Sequence, residues 1–203
     1  MIPEHSEHCR SCKERVRQLL TAVYGHCEVN YSFTWPARPQ HYKDTSVGDA
    51  LRRICDGLME LRSHLDFVKS VQVPPCDFYI LNPPFVLEFD ESQHFSHARL
   101  VSLSLYPPAF KSGFPISRWK ELCRVIDAKD DEPPDRDERR AWYDTLRDLI
   151  PPLHGFNPTV RLYANEFCWC SLNSAATGDQ ERFCSILEER LPVSVDGRVK
   201  PSR

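Results

Sequence analysis

Residues 76–94 read CDFYILNPPFVLEFDESQH and place three carboxylates, Asp77, Glu88 and Asp90, in two short apolar segments. Both segments, CDFYIL and FVLEFD, are rich in apolar and aromatic residues, which favours β-strands. The prolines of the intervening NPP cannot continue a sheet, so they indicate a tight connection. The stretch therefore predicts a β-hairpin that carries acidic residues on both strands.

The three carboxylates are predicted to meet on one face of this hairpin. Alternation along a strand places Glu88 and Asp90 on the same face, and Asp77 on the neighbouring strand can reach that face. A buried carboxylate is costly unless it is paired or binds a metal. Oxygen ligands with open positions suit Mg²⁺ or Mn²⁺, which can activate water against a phosphodiester. The alternative is that the acids lie on an edge and face solvent.

The segments around the hairpin predict an α/β fold. Helical spacing of apolar residues and candidate N-caps indicate the helices, and alternation or aromatic content indicates the strands. In chain order these are a helix over 12–24, a strand over 28–35, a helix from Ser46 to about His64, the hairpin, helices from Ser96, Ser117 and Asp135, a strand over 159–170 and a helix over 179–191. We expect one domain over residues 1–203, with a mixed sheet flanked by helices, insertions at 36–70 and 95–135, and a loose tail at 192–203.

Composition limits the function classes. A chain of 203 residues can bury one sizeable core. The net charge of -3 gives no general basic field, so nucleic acid would have to bind a local Lys/Arg face. No apolar run reaches the roughly 18 residues of a membrane-spanning helix, and the first residues are polar rather than signal-like. We therefore expect a cytoplasmic protein that does not enter a membrane.

The hairpin resembles the very-short-patch-repair-endonuclease-like family of the PD-(D/E)xK, restriction-endonuclease-like superfamily. Members typically carry Asp-Phe-Tyr, a bend with Pro, and an apolar strand that ends Glu-x-Asp-Gly-x-Gln-His. The residues in these positions are Asp77-Phe78-Tyr79, Pro83, Glu88, Asp90, Gln93 and His94. The segment 13–20 resembles the opening helix of the family, and 137–167 resembles its helix, glycine turn and final strand. Three separated blocks thus follow the order of the family.

The resemblance implies a restriction-endonuclease-like fold and metal-dependent hydrolysis of DNA. It implies Mg²⁺ or Mn²⁺ bound by Asp77, Glu88 and Asp90, with Glu14 of the opening helix close to the metal. One departure is Glu91, which replaces the Gly of the family. Another is an insertion between the second and third blocks, which bears on substrate choice.

A third departure is the absence of the lysine that the superfamily signature has two residues after Glu88, because Asp90 occupies that position. Another group must then handle the attacking water, and Gln93 and His94 are the nearest candidates. His94 could act as a general base, since the ordinary pKa of histidine lies near neutrality. It could equally be a hydrogen-bonded turn residue.

The cysteines indicate a second metal site. Nine cysteines without a secretory signal argue against a disulfide framework. Cys9 and Cys12 have the two-residue spacing that lets both sulfurs bind one Zn²⁺. The remaining ligands could be Cys168 and Cys170 near the final strand, or the neighbouring His5 and His8. The alternative is a set of ordinary reduced thiols.

We therefore expect a Mg²⁺-dependent endonuclease acting on DNA in restriction, repair or phage defence. Arg139 and Arg140 could hold phosphates, although they could also be solvated residues on an exposed helical face. The competing hypothesis is an inactive nuclease-fold binding protein, or a subunit of a nucleic-acid-processing complex, with or without a zinc staple. Its support is the acidic net charge, the absent lysine and Glu91. A homodimer or a partner protein is compatible with either.

Overall fold

The fold is seen in a computed structural model, which describes residues 9–191; His5, His8 and the tail 192–203 lie outside this range. The described chain contains both helices and strands. They are α1 (Arg10–Tyr24), β1 (Glu28–Tyr31), α2 (Gly48–Arg62), β2 (Cys76–Leu81), β3 (Pro84–Asp90), α3 (His97–Ser104), α4 (Ile116–Ile126), α5 (Arg136–Leu149), β4 (Val160–Tyr163) and α6 (Thr177–Glu188).

The four strands form one mixed sheet in the order β1-β2-β3-β4. The pairs β1–β2 and β2–β3 are antiparallel, whereas β4 runs parallel to β3. A parallel neighbour requires a crossover connection. Helices α3, α4 and α5 lie between β3 and β4 and supply it. The predicted α/β class, with a mixed sheet flanked by helices, is confirmed.

The predicted hairpin is also confirmed. Phe78 lies opposite Leu87, and Leu81 lies opposite Pro84. Pro84 takes the first position of β3, where a proline is tolerated because it interrupts no ladder. Continuing this register by one residue places Asp77 beside Glu88.

Helices cover both faces of the sheet. On one face Tyr24 of α1 packs edge-to-face on Phe85 of β3, with ring centroids 5.4 Å apart. On the other face Arg147 of α5 forms an ion pair with Glu88 at 3.5 Å. The segments predicted as insertions contain α2, α3 and α4, and both α2 and α3 pack on α5. The face of β3 that carries the acids is therefore covered by α5 and is not open to solvent.

The N-caps of α2 and α4 differ from the predicted ones, and α1 and α6 each begin two residues earlier than predicted. Helix α2 begins at Gly48, and its N-cap is Val47 rather than Ser46. A Cβ on residue 48 would lie 2.2 Å from the carbonyl oxygen of Tyr42, so this position requires glycine. Helix α4 follows Pro115 rather than Ser117. The start of α3 is as predicted: Ser96 caps it by accepting a hydrogen bond from the Arg99 N–H at 3.2 Å.

The final strand is shorter than predicted. Strand β4 ends at Tyr163, and its continuation turns into a short 3₁₀ turn at Trp169–Ser171. Trp169 is fully buried and donates its indole N–H to the Tyr163 carbonyl at 3.1 Å. The aromatic content of 164–170 therefore belongs to the core and does not extend the sheet. Within residues 9–191, no helix is both long and apolar enough to cross a membrane.

Candidate active site and cysteine cluster

Asp77 and Glu88 lie together where β2 and β3 separate. The last paired residues at this end are Phe78 and Leu87. Beyond them, Asp77 Oδ2 accepts a hydrogen bond from the Phe89 N–H at 2.9 Å, and Glu88 Oε1 accepts from the Asp77 N–H at 3.3 Å. Each carboxylate thus bonds to the neighbouring strand where the ladder of backbone bonds has ended. The backbone fixes both groups in one place.

Lys13, in the first turn of α1, completes this group. Its Nζ lies 2.5 Å from Asp77 Oδ1, and the two side chains are 43% and 21% exposed, so solvent reaches the pair. Glu14, which was expected here, bonds instead to Arg17 and Gln18 of its own helix. Neighbouring residues on a helix point about 100° apart, so α1 can present only one of them to the hairpin. Sequence reasoning missed Lys13 because nothing in the pattern tells which of the two faces the hairpin.

Glu88 occupies an unusual electrostatic position. Burial raises its pKa to about 7, although the Arg147 guanidinium acts in the opposite direction. Arg147 Nε is 3.5 Å from Glu88 Oε1, and the same guanidinium also contacts Asp144 at 3.2 Å. Near neutral pH, both the protonated and the ionised forms of Glu88 are therefore populated. A divalent cation beside it would favour the ionised form.

Asp90 does not join the other two acids. It is 1% exposed, and each oxygen has a protein donor: Arg161 lies 2.6 Å from Oδ1, and the Trp119 indole N–H donates to Oδ2 at 2.7 Å. Within residues 9–191, the three predicted carboxylates are not found as a group whose ligand atoms lie within 4.8 Å of one another. Arg161 and the Trp119 indole compensate the cost of burying the Asp90 carboxylate. Asp90 is therefore not positioned as the metal ligand that the sequence predicted.

Arg161 is the centre of a buried ion network between β4 and α5. Its Nε lies 2.8 Å from Asp148, and another of its nitrogens lies 3.3 Å from Asp144. Arg99 of α3 contacts the second oxygen of Asp148 at 2.6 Å, and the Tyr106 hydroxyl donates to that oxygen at 2.7 Å. Asp144 and Asp148 are one helical turn apart, on the face of α5 that covers the sheet. Opposite charges thus compensate one another away from water.

His94 belongs to the same network. Its Nδ1 lies 2.9 Å from Asp144 and 3.6 Å from Asp90. Burial opposes protonation of His94, but the charge and hydrogen bond of Asp144 together with the charge of Asp90 outweigh it and hold the His94 pKa above its usual value. The pKa of Asp144 lies well below its usual range, since burial is more than offset by His94 and Arg161. His94 is therefore held by buried carboxylates of the network, a position that differs from that of the predicted general base.

The other polar residues predicted for the site are occupied elsewhere. The Gln93 amide donates to Glu91 at 3.1 Å. Arg140 donates to the Gln93 carbonyl at 2.9 Å and pairs with Asp130 at 2.8 Å. Arg139 pairs with Asp135 at 2.5 Å. Both arginines thus have acidic partners within the protein and are not presented as a phosphate clamp.

The raised pKa of His94 predicts a specific dependence of stability on pH. Since the folded pKa exceeds the unfolded value, the contribution of His94 is complete below about pH 6.5 and is lost as pH rises through the folded pKa. Urea unfolding of wild type and His94→Gln should show the largest difference in the free energy of unfolding at low pH, and a smaller one as pH rises. The control His26→Gln replaces a 70% exposed histidine and should change little. A wild-type–variant difference that is constant with pH would contradict the assignment.

Four cysteines come together at the N-terminal end of α1, next to the turn that carries Lys13. The sulfurs of Cys9, Cys12 and Cys170 lie within 4.8 Å of one another, and within residues 9–191 this is the one group of three metal-binding side chains so close. Cys168 Sγ lies 3.7 Å from Cys170 Sγ. Burial, and then hydrogen bonding among the four thiols, raises the pKa of Cys170 to about 12. The group could bind a metal ion, as the CxxC spacing predicts.

Comparisons with protein-family models, with characterised proteins and with solved structures gave no match to this chain. The chemistry of both sites is therefore inferred from their own geometry.

Proposed function

We propose that this protein is a metal-dependent nuclease with a restriction-endonuclease-like fold, which hydrolyses phosphodiester bonds of DNA. The observation that carries the proposal is the meeting of Lys13, Asp77 and Glu88 where β2 and β3 separate. These residues come from the opening helix and the hairpin, two of the three blocks that resemble the family. The third block supplies Arg147, which contacts Glu88.

The residues present fit Mg²⁺ or Mn²⁺. Asp77 and Glu88 offer hard oxygen ligands from two carboxylates, and Mg²⁺ usually takes one or two carboxylates and completes its shell with water and substrate phosphate. Asp77 is partly exposed, so a cation and a phosphate can approach it. When bound, such a cation lowers the pKa of a bound water and offsets the charge of the attacked phosphate.

Lys13 would supply the positive charge that the superfamily signature expects two residues after Glu88. In this chain it comes from a helix, and it reaches Asp77 from outside the strand. An ammonium group at that place can donate hydrogen bonds to a phosphate oxygen or to the attacking water. Asp90 then has no catalytic role, which agrees with its hydrogen bonds to Arg161 and Trp119.

A second function is favoured by the same contacts. Lys13 and Arg147 already neutralise Asp77 and Glu88, so these acids are compensated without a cation. A nuclease fold that has lost hydrolysis, and that binds DNA or serves as a subunit of a nucleic-acid-processing complex, would show this arrangement. Zn²⁺ at the cysteine cluster would be structural in either case.

Cleavage assays separate the two functions. Purified protein is incubated with plasmid, single-stranded DNA or RNA in buffer free of divalent cations, and then with Mg²⁺ or Mn²⁺. We expect cutting of DNA only after a cation is added, inhibition by EDTA, and recovery when Mg²⁺ is added in excess. The recovery step distinguishes the carboxylate site from the thiol cluster, which Mg²⁺ would not refill. Absence of cutting with either cation would exclude the nuclease and leave the binding function.

The variant Lys13→Met tests the role of the lysine. We expect kcat for DNA cleavage to fall by roughly 10²-fold, because a donor aimed at developing charge is lost. Folding should be retained, since the pair with Asp77 is partly exposed and surface pairs stabilise little. Lys120→Met on α4 is the matched control and should cleave like wild type. Unchanged cleavage by Lys13→Met would remove Lys13 from the active site.

A further inference from the structure

We propose that Cys9, Cys12, Cys168 and Cys170 form a structural tetrathiolate Zn²⁺ site, which joins the first turn of α1 to the turn that follows β4. The site shares no residue with the carboxylate site, although Cys12 directly precedes Lys13 in α1. It would exist whether or not the protein cleaves DNA.

The sulfur positions fit tetrahedral zinc. Zn–S bonds of about 2.3 Å in a tetrahedron place neighbouring sulfurs about 3.8 Å apart. Cys168 and Cys170 already show a sulfur separation of 3.7 Å. The sulfurs of Cys9, Cys12 and Cys170 are all within 4.8 Å of one another. Cys168 is not in that tighter group, so as the fourth ligand its side chain would have to turn toward the sulfurs of Cys9 and Cys12.

The local backbone presents both pairs of sulfurs to one place. The Cys12 N–H donates to the Cys9 carbonyl at 2.9 Å, which closes the turn that opens α1. Partly positive N–H groups at a helix start stabilise thiolates. On the other side, Trp169 lies between the two cysteines and is fixed in the core by its bond to the Tyr163 carbonyl. The anchored indole therefore holds the flanking cysteines in place.

The ligand chemistry selects zinc. Four soft thiolates favour Zn²⁺ and exclude Mg²⁺, which prefers oxygen. A sulfur separation of 3.7 Å is far longer than the roughly 2.05 Å of a disulfide, so the cysteines are present as thiols. Four protein ligands leave no open position, which is typical of structural rather than catalytic zinc. Cys12 is only 1% exposed, in keeping with a closed site.

The site would stabilise a contact between distant parts of the chain. Helix α1 packs against the turn Trp169–Ser171 and against α6. A metal that closes this long loop restricts the unfolded chain, and its binding free energy adds to the stability of the folded state. Loss of the ion should therefore lower thermal stability as well as remove zinc.

Metal analysis of the full-length protein tests the proposal. The protein is produced with added Zn²⁺, purified under reducing conditions and desalted, and its metals are counted by mass spectrometry. We expect about one zinc ion per chain in wild type. After removal of the ion with a strong chelator, the unfolding temperature should fall by roughly 10 °C, and Zn²⁺ alone should restore it.

Variants identify the ligands. Cys168→Ser and Cys170→Ser should each retain less than about a fifth of the wild-type zinc, because a tetrathiolate site loses affinity with any ligand. Cys184→Ser on α6 is the matched control and should retain all of it. If Cys170→Ser is insoluble, the partly exposed Cys168 still provides the test. Wild type without zinc would overturn the site, and full zinc in Cys168→Ser would overturn the tetrathiolate set. Cleavage is not measured, so failure of the nuclease proposal leaves these results unaffected.

Discussion

Replacement of Glu88 by glutamine is expected to abolish cation-dependent cleavage of DNA while the protein stays folded. Glutamine has the shape of the protonated acid, and the pKa of Glu88 near 7 means that the fold already accepts the neutral form. Arg147 would keep its contact with Asp144 at 3.2 Å. The loss is that of an anionic ligand. Since such a cation contributes several kcal/mol to the transition state, kcat/KM should fall by roughly 10³-fold or more.

The measurement is initial-rate cleavage at saturating Mg²⁺, with circular dichroism and urea unfolding as checks on folding. Glu121→Gln is the matched control, because Glu121 is an exposed acid of α4 that pairs with Arg118 in its own helix. It should cleave like wild type. Cleavage within threefold of wild type in a folded Glu88→Gln protein would contradict the metal-ligand role of Glu88.

Replacement of Arg161 by leucine is expected to destabilise the protein more than any other single change proposed. Arg161 is fully buried and contacts Asp90 at 2.6 Å and Asp148 at 2.8 Å. Leucine fills part of the space but leaves these carboxylates buried with too little positive charge. Breaking a buried ion pair on one side costs about 3–5 kcal/mol, a large fraction of the stability of a typical domain.

Urea unfolding gives the free energy directly, provided that the dependence on urea concentration is unchanged. The matched control is Arg118→Leu. Arg118 lies 2.8 Å from Glu121, a distance similar to those of the Arg161 contacts, but this pair is exposed. Its cost should lie below about 1 kcal/mol. Equal effects of the two substitutions would show that burial does not set the strength of the Arg161 contacts.

Local sequence patterns predicted the helices and strands better than they predicted which distant residues contact one another. Alternation and the proline bend were enough for the hairpin, because register follows from the turn and from the apolar face. The strand predicted over 159–170 was too long, since aromatic residues favour both strands and buried turns. Trp169 lies in a buried turn rather than in a strand. The close approach of the Tyr42 carbonyl to Gly48, which leaves no room for a side chain there, is likewise a contact that adjacent residues do not encode.

The site was predicted in part. The hairpin pattern placed Asp77 and Glu88 together. The CxxC spacing predicted a metal site at Cys9 and Cys12, for which Cys168 and Cys170 were one of two possible pairs of partners. The ion pairs of Asp90 and His94 could not be predicted, because their partners Arg161 and Asp144 come from β4 and α5, far along the chain. Charge compensation by such distant residues leaves no periodic signal. Lys13 was missed for the same reason, since only the docking angle of α1 selects it over Glu14.

The buried charges also determine how β3 and β4 align. Glu88 lies opposite Arg161 in the parallel pair, and Asp90 lies opposite Tyr163. A slip by two residues would keep every side chain on its own face, so apolar patterning alone opposes it only weakly. It would, however, carry the Arg161 guanidinium about 7 Å along the sheet. Its contacts with Asp90 and Asp148 could not both survive, and unpaired charges would stay buried. The ion network therefore determines the register of β3 and β4. It stabilises one pairing of these strands over neighbouring pairings that would bury equally apolar surfaces.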